Sequence, residues 1–287
     1  MNAAQTLHFD LLVLTWLALF LAVPAYALVR KTSPLARWNE HGNVYTGIFG
    51  KADLLLVVLF FLAAPNLPLL AEMWGQGETA PGDPREVGIA DLVANGLFFL
   101  VLTGALCLGL ALRREVSLAE LWGLQRLRWR QAAGWSLLLA ALVVPLILLV
   151  ADRSRALLQH WIGDIPAQPL VEAFAQDERA AFRVMLGLTA VVLAPVFEEV
   201  FYRGYLYAVV KRFSDRFFAA VFSSLVFALN HEGVISYAPL FVLALFLAVS
   251  YELSGSLWIP MGVHALFNLA NLTAMLVTGG AQGGGGG

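Results

Sequence analysis

The chain has 287 residues, of which 60% are hydrophobic and only 13% are charged. An average soluble domain carries about 25% charged residues, so this composition excludes an ordinary soluble protein. The formal net charge is −2 and no long basic stripe occurs, which argues against a nucleic-acid-binding protein. The single cysteine, Cys107, excludes an intrachain disulfide and a cysteine-based zinc motif.

The hydrophobic residues fall into separate runs that approach the length of a membrane span. A bilayer core about 30 Å thick takes about 20 helical residues, because each residue rises about 1.5 Å along the axis. We therefore predict an all-α, polytopic transmembrane helix bundle of about eight spans. The predicted spans are approximately Phe9–Leu28, Leu54–Leu70, Leu92–Leu112, Ala132–Val150, Val184–Leu206, Phe217–Asn230, Tyr237–Leu253 and Leu257–Val277.

Basic residues alternate between the loops that connect these spans. The loops after spans one, three and five are rich in arginine and lysine, whereas the loops after spans two and four are mainly acidic. By the positive-inside rule the basic loops face the cytoplasm. We therefore expect a multi-pass protein of the cell membrane with both termini outside the cytoplasm.

A short segment between spans three and four has a helix-start signal. Ser117 and Glu120 have the spacing of a capping box, and Arg126, Arg128 and Trp129 follow. This pattern predicts a short helix at the membrane interface. Two interpretations fit this segment. It either anchors the protein at the lipid headgroups or forms a solvated connector between the spans.

The stretch Ala194–Gly204 places two adjacent carboxylates and an arginine inside an apolar helical run. An ionisable group in a span costs roughly 2.5–3.5 kcal/mol, so such a cluster indicates a functional site. Glu199 and Arg203 are four residues apart and share one helix face, whereas Glu198 is rotated by about 100° from Glu199. We therefore expect one carboxylate to take part in catalysis while the other neutralises the charge of Arg203.

Two later spans carry further polar residues with helical spacing. Phe227 and His231 are four residues apart at the end of span six. His264 and Asn268 have the same spacing in span eight. Counted from the turn between spans five and six, Glu198 lies about 20 Å away and His231 about 22 Å away, so they face each other at similar depth. His264 lies within a turn or two of that level.

The chain resembles the CAAX protease and bacteriocin-processing family in three motifs that occur in the family's order. They are Glu198-Glu199-Val-Phe-Tyr-Arg203, Phe227-Ala-Leu-Asn-His231 and His264-Ala-Leu-Phe-Asn268, which look like EExxxR, FxxxH and HxxxN. The resemblance covers about Val184–Val277, a third of the chain. It implies an intramembrane endopeptidase, a class described either as glutamic peptidases or as metalloproteases.

The resemblance also suggests how the chain is divided. Residues 1–131 are expected to form accessory spans one to three and the cytoplasmic interfacial segment. Residues 132–278 are expected to form the CAAX-protease-like membrane core, with the motifs in residues 184–277 and the catalytic residues in the last four spans. Residues 279–287 are nearly all glycine and are expected to form a flexible tail.

Peptide hydrolysis needs a base that activates water and donors that hold the developing oxyanion. The family pattern favours the first carboxylate as base, so we expect Glu198 to activate the water with His231 orienting it. His264 and Asn268 share a helix face and suit oxyanion stabilisation. The supporting residues are Glu199, Arg203 and Phe227.

No cofactor is favoured at this site, and zinc is the alternative. In a zinc enzyme Glu198, His231 and His264 would bind the metal, with water in the fourth position. The spacing differs from the HExxH motif of helical zinc proteases, so we favour the glutamic type.

Two other functions fit part of the pattern. A non-catalytic immunity or scaffold protein of the membrane would keep the same residues, and an ion-coupled transporter also carries buried Glu and His. The chain shows no sign of the inverted repeats that mark many transporters. The expected partners are membrane lipids and a membrane-associated or lipidated protein or a small peptide as substrate, and no nucleic acid.

Overall fold

The computed structural model describes residues 26, 42–63, 89–113, 117–163, 180–231 and 233–283. All regular secondary structure in these residues is helical, which confirms the predicted all-α class. The helices are α1 Lys51–Ala63, α2 Ile89–Ala111, α3 Leu118–Leu121, α4 Trp129–Ile162, α5 residues 180–213, α6 Arg216–Leu229, α7 Val234–Ser254 and α8 Trp258–Gly283.

Four of the described helices are long and apolar enough to cross a membrane, which supports a helical membrane protein. Helices α2 and α6 contain shorter apolar stretches, so the count of eight spans and the orientation of the termini stay predictions. The first predicted span, apart from residue 26, and residues 64–70 of the second lie outside the described residues. Helix α8 continues to Gly283, beyond the predicted start of the tail at Gly279. The four candidate spans are Trp129–Trp161, Phe182–Phe213, Val234–Ser254 and Trp258–Val277.

Helix α5 alternates between α-helical and π-helical backbone. Pro195 has no backbone N–H, and just before it the Ala194 N–H donates to Thr189 O, five residues back. Such π-helical stretches occur frequently at functional sites, and here two of them flank the α-helical segment that carries both glutamates. The segments are α-helix Ala180–Leu188, π-helix Thr189–Leu193, α-helix Ala194–Glu199, π-helix Val200–Tyr207 and α-helix Ala208–Phe213.

Helix α7 lies at the centre of the bundle, because its two faces join two separate apolar cores. Ala244 and Ala248 belong to a core formed with α5 and α6. Leu243 and Leu247 belong to a second core formed with α4 and α8. Small residues on the first face let helices approach closely, as is typical of membrane bundles. Helix α7 therefore sets the positions of α5 and α8, which carry the predicted site residues.

One ionic cluster attaches α1 to this bundle, and a second joins the ends of α5 and α7. Asp53 at the start of α1 accepts from Arg113 at 2.6 and 2.8 Å, and the Tyr205 hydroxyl of α5 donates to Asp53 at 3.2 Å. Lys211 of α5 donates to Glu252 of α7 at 2.8 and 2.9 Å. Because these carboxylates are buried and paired, the clusters hold α1 and the ends of α5 and α7 in one arrangement.

The segment from Ser117 to Arg128 covers the turn between α7 and α8. The capping box forms as its spacing predicts, with Ser117 and Glu120 bonded in both directions. The Trp122 indole donates to Gly204 O at 3.2 Å, and Trp122 O accepts from the Leu257 N–H at 3.0 Å. Leu257 is fully buried under this segment. The turn between α7 and α8 is therefore packed against the segment that carries Trp122.

Gly123 offers a test of this contact. Its φ is +61°, and a Cβ at this position would collide with the carbonyl oxygen of Gly255. We expect Gly123→Ala to destabilise the protein by about 2 kcal/mol or more, because left-handed strain and the collision add together. The measurement is the thermal unfolding midpoint in detergent. Gly134→Ala in α4 is the control, since nothing lies within 4 Å of its added Cβ. Equal midpoints for the two variants would contradict the contact.

Candidate functional site

Glu199 and Arg203 form a buried ion pair on one face of α5. Arg203 Nη1 donates to Glu199 Oε1 at 2.7 Å, as the four-residue spacing predicts. Arg203 Nη2 donates to Ala244 O of α7 at 3.1 Å, and its guanidinium carbon lies 4.7 Å from the centre of the Phe227 ring. Carboxylate, carbonyl and aromatic face together compensate the positive charge in a region without solvent. These contacts fix α5 against α6 and α7.

His264 of α8 binds the same carboxylate. Its Nδ1 lies 2.9 Å from Glu199 Oε1, and its side chain is only 3% exposed. A carboxylate paired with arginine accepts hydrogen bonds, so Nδ1 carries a hydrogen and donates. In the neutral ring Nε2 is then an acceptor. Glu199 therefore joins α5 to α8 and orients the free nitrogen of His264.

His231 follows the end of α6 and is oriented by its own helix. Its Nδ1 lies 2.8 Å from Phe227 O, and because a carbonyl only accepts, Nδ1 carries the hydrogen. The two rings also pack with centroids 4.7 Å apart. Nε2 is therefore the nitrogen that His231 offers to other groups. The side chain is 30% exposed, compared with 14% for Glu198.

Glu198 lies between the two free histidine nitrogens. Its Oε2 is 4.0 Å from His231 Nε2 and 3.9 Å from His264 Nε2. This oxygen is buried and makes no hydrogen bond to any of the described residues. The separations are too long for direct hydrogen bonds, but a single water molecule can bridge groups at this spacing. The structure thus brings together Glu198, His231 and His264, which residue counting along their helices had placed at similar depths.

Asn268 lies one turn beyond His264 on α8. Its Nδ2 donates to Ala190 O in the first π-helical segment of α5 at 2.7 Å. One of the two amide hydrogens is therefore used to join α8 to α5. The second hydrogen remains for another acceptor, so the oxyanion role of Asn268 stays a prediction.

One contact near the site has no signal in the sequence. The Asn230 amide donates to the Tyr202 hydroxyl at 2.8 Å, and the Tyr202 ring packs edge-on against Phe227 with centroids 5.0 Å apart. Asn230 precedes His231 in the turn after α6, so this bond fixes that turn to α5. Helical spacing links Tyr202 to Glu198 but does not reveal a partner on another helix.

No group of three or more His, Cys, Asp or Glu side chains suited to a metal ion occurs among the described residues. The predicted zinc ligands Glu198, His231 and His264 do converge, but with the separations given above. Ligand atoms of a tetrahedral zinc at about 2.0–2.1 Å lie roughly 3.3–3.4 Å apart. The arrangement is therefore wider than a zinc coordination sphere.

Comparisons with known proteins show similarity in the part of the chain that carries the site. Residues 180–270 match the family described as type II CAAX prenyl endopeptidase Rce1-like, which confirms the resemblance seen in the motifs. The chain is also 25% identical over 205 residues to UPF0177 protein YajF of Lactococcus lactis subsp. lactis (strain IL1403). That match covers 71% of this chain and 92% of YajF. No solved structure matches the chain significantly. The family match supports an intramembrane endopeptidase in general.

The two glutamates should differ in their effect on stability. We expect Glu199→Gln to lower the free energy of unfolding by about 3–5 kcal/mol, because it leaves the buried Arg203 without its counter-charge. Glu198→Gln should change it by less than about 1 kcal/mol, since Glu198 Oε2 has no hydrogen-bond partner to lose among the described residues. Thermal unfolding of both purified variants checks this difference. A larger loss from Glu198→Gln would contradict the assignment.

Proposed function

We propose that the protein is an intramembrane endopeptidase of the glutamic type, in which Glu198 activates the attacking water. The observation that carries this proposal is the position of Glu198 Oε2, buried and facing the free Nε2 atoms of both histidines. Glu199 is held by Arg203 and His264 and is less available for chemistry. The site lies within the range that matches the CAAX endopeptidase family.

The proposed oxyanion role of His264 requires a hydrogen on Nε2. Nδ1 already carries the hydrogen that it donates to Glu199, so a ring that also donates from Nε2 is an imidazolium, and the Glu199 carboxylate lies opposite its charge. His231 uses its Nδ1–H for Phe227 O, so its Nε2 is free to accept a hydrogen bond from the water.

The proposed reaction follows from these roles. Glu198 accepts a proton from the water as the water oxygen attacks the carbonyl carbon of the peptide bond. The Nε2–H of His264 and the second amide hydrogen of Asn268 stabilise the oxyanion that forms. His231 Nε2 accepts the other hydrogen bond from the water and fixes its direction. Glu198 then passes its proton to the peptide nitrogen as the C–N bond breaks, which regenerates the carboxylate.

The proposed substrate is a peptide bond in a membrane-associated or lipidated protein or in a small membrane-bound peptide. The description of the matched family as CAAX prenyl endopeptidase supports a substrate at the membrane. The partial exposure of His231 and Glu198 gives the site an opening, so a bound segment can reach the water.

Glu198→Gln tests the proposed chemistry. The amide keeps the size of the side chain but cannot accept the proton, so we expect cleavage to fall by about 100-fold or more. The measurement compares the termini of membrane proteins, by mass spectrometry, in cells that express wild type or variant. Asp152→Asn is the control, because that carboxylate is exposed on α4 and lies away from the site. Termini produced equally well by Glu198→Gln would exclude Glu198 as the base. Ion flux through wild-type proteoliposomes without any cleavage would favour a transporter.

Metal content separates the glutamic type from a zinc enzyme. We expect the purified protein to contain no stoichiometric zinc, because the separations around Glu198 exceed those between ligands of one zinc. Elemental analysis of protein purified without chelators gives the measurement. One zinc per chain that is lost in His231→Ala would show that the metal mechanism is correct.

A further inference from the structure

Three exposed arginines and a tryptophan lie where the segment after α3 enters α4. We name this surface the basic interfacial patch and define it as Arg126, Arg128, Trp129 and Arg130. Arg130 places its guanidinium carbon 5.2 Å from the centre of the Trp129 ring. Within the part of the chain that the structure describes, no carboxylate forms an ion pair with these arginines. The nearby Glu120 is bonded to Ser117 in its capping box.

The patch lies at the level of the membrane interface. Trp129 is the first residue of the candidate span in α4, and Trp258 is the first residue of the candidate span in α8. The Trp258 indole donates to Leu124 O at 3.2 Å, which holds the two span ends side by side. Trp129 is 74% exposed. Exposed tryptophans at the ends of spans lie among the lipid headgroups, so the neighbouring arginines lie there as well.

The backbone that carries the patch is fixed to the membrane core. Gly123 packs against the Gly255 carbonyl, and Trp122 is bonded to Gly204 and Leu257. Arg126 itself lies against Gly255 at the end of α7. The charges are therefore held on an ordered support, unlike arginines on a free loop. Next to this support an open pocket of about 500 Å³ is lined by Arg128, Trp129, Arg130 and Gln131.

We propose that the basic interfacial patch binds the phosphate headgroup of an anionic phospholipid. Guanidinium groups match phosphate oxygens with paired hydrogen bonds, and Trp129 adds an amphipathic ring at the headgroup level. The location selects a lipid over a soluble phosphate compound, because the patch surrounds Trp129, the first residue of a candidate membrane span. No carboxylate of the described residues forms an ion pair with these arginines, so an anionic ligand is complementary. The proposal does not depend on the peptidase mechanism.

The test uses the purified full-length protein in detergent and two phospholipids, dioleoyl-phosphatidylglycerol and dioleoyl-phosphatidylcholine. Native mass spectrometry counts the lipid molecules retained at increasing lipid concentration. We expect wild type to retain phosphatidylglycerol at concentrations at least tenfold lower than phosphatidylcholine. The double variant Arg128→Gln with Arg130→Gln should lose this preference by about tenfold or more, since each arginine near a membrane surface contributes roughly fivefold.

The matched control is the double variant Arg153→Gln with Arg155→Gln, which removes two exposed arginines from the other end of α4. It should retain the lipid preference, and lysine at positions 128 and 130 should restore only part of it, because lysine keeps the charge but cannot form the paired hydrogen bonds. Unchanged preference in the Arg128/Arg130 glutamine variant would overturn the proposal, and so would an equal loss in both double variants. Full displacement of phosphatidylglycerol by millimolar inorganic phosphate would show a soluble-phosphate site instead. Thermal unfolding confirms that each variant is folded.

Discussion

The buried positive charge of Arg203 is the constraint on which the arrangement of the last four helices depends. A guanidinium inside a membrane bundle is tolerated only when neighbouring groups compensate its charge. Here the compensation comes from three different helices, through Glu199 of α5, Ala244 O of α7 and the Phe227 ring of α6. The fourth helix, α8, joins this arrangement through the bond between His264 and Glu199. The charge therefore acts as the point at which α5, α6, α7 and α8 meet.

This arrangement explains why two adjacent glutamates are needed. A single carboxylate that neutralised Arg203 would be held by its hydrogen bonds and would be a poor base. With Glu199 in that role, Glu198 is rotated by about 100° into the space between two histidines. Glu199 also orients His264, so the residue that stabilises the bundle prepares the proposed catalytic group as well. Stability and chemistry are divided between neighbouring residues but are connected through one imidazole.

Some of these features are local in the sequence and could be predicted from it. The Glu199–Arg203 contact follows from helical spacing, and the level of His231 relative to Glu198 follows from counting residues along two helices joined by a short turn. The capping box at Ser117 depends only on residues three apart. The all-α class follows from the composition, because a bilayer leaves few alternatives to helices.

Other features depend on contacts between distant parts of the chain. Residue counting placed His264 only to within a turn or two of Glu198, and its bond to Glu199 on another helix could not be predicted. The turn before α8 is packed against Trp122, and such a contact leaves no periodic pattern in the sequence. The same holds for the bond between Asn230 and Tyr202. The π-helical segments of α5 could not be predicted either, since proline indicates a disturbance of the helix but not its form.

The central claim is that Glu199 pairs with Arg203, whereas Glu198 faces the water that attacks the peptide bond. A high-resolution structure of the protein in a lipid environment, with ordered waters visible, tests this claim most directly. The account predicts one water oxygen within about 3.2 Å of Glu198 Oε2 and of Nε2 of both His231 and His264, with Glu199 bound to Arg203 and His264. An ion pair between Glu198 and Arg203, with Glu199 facing the two histidines, would contradict it.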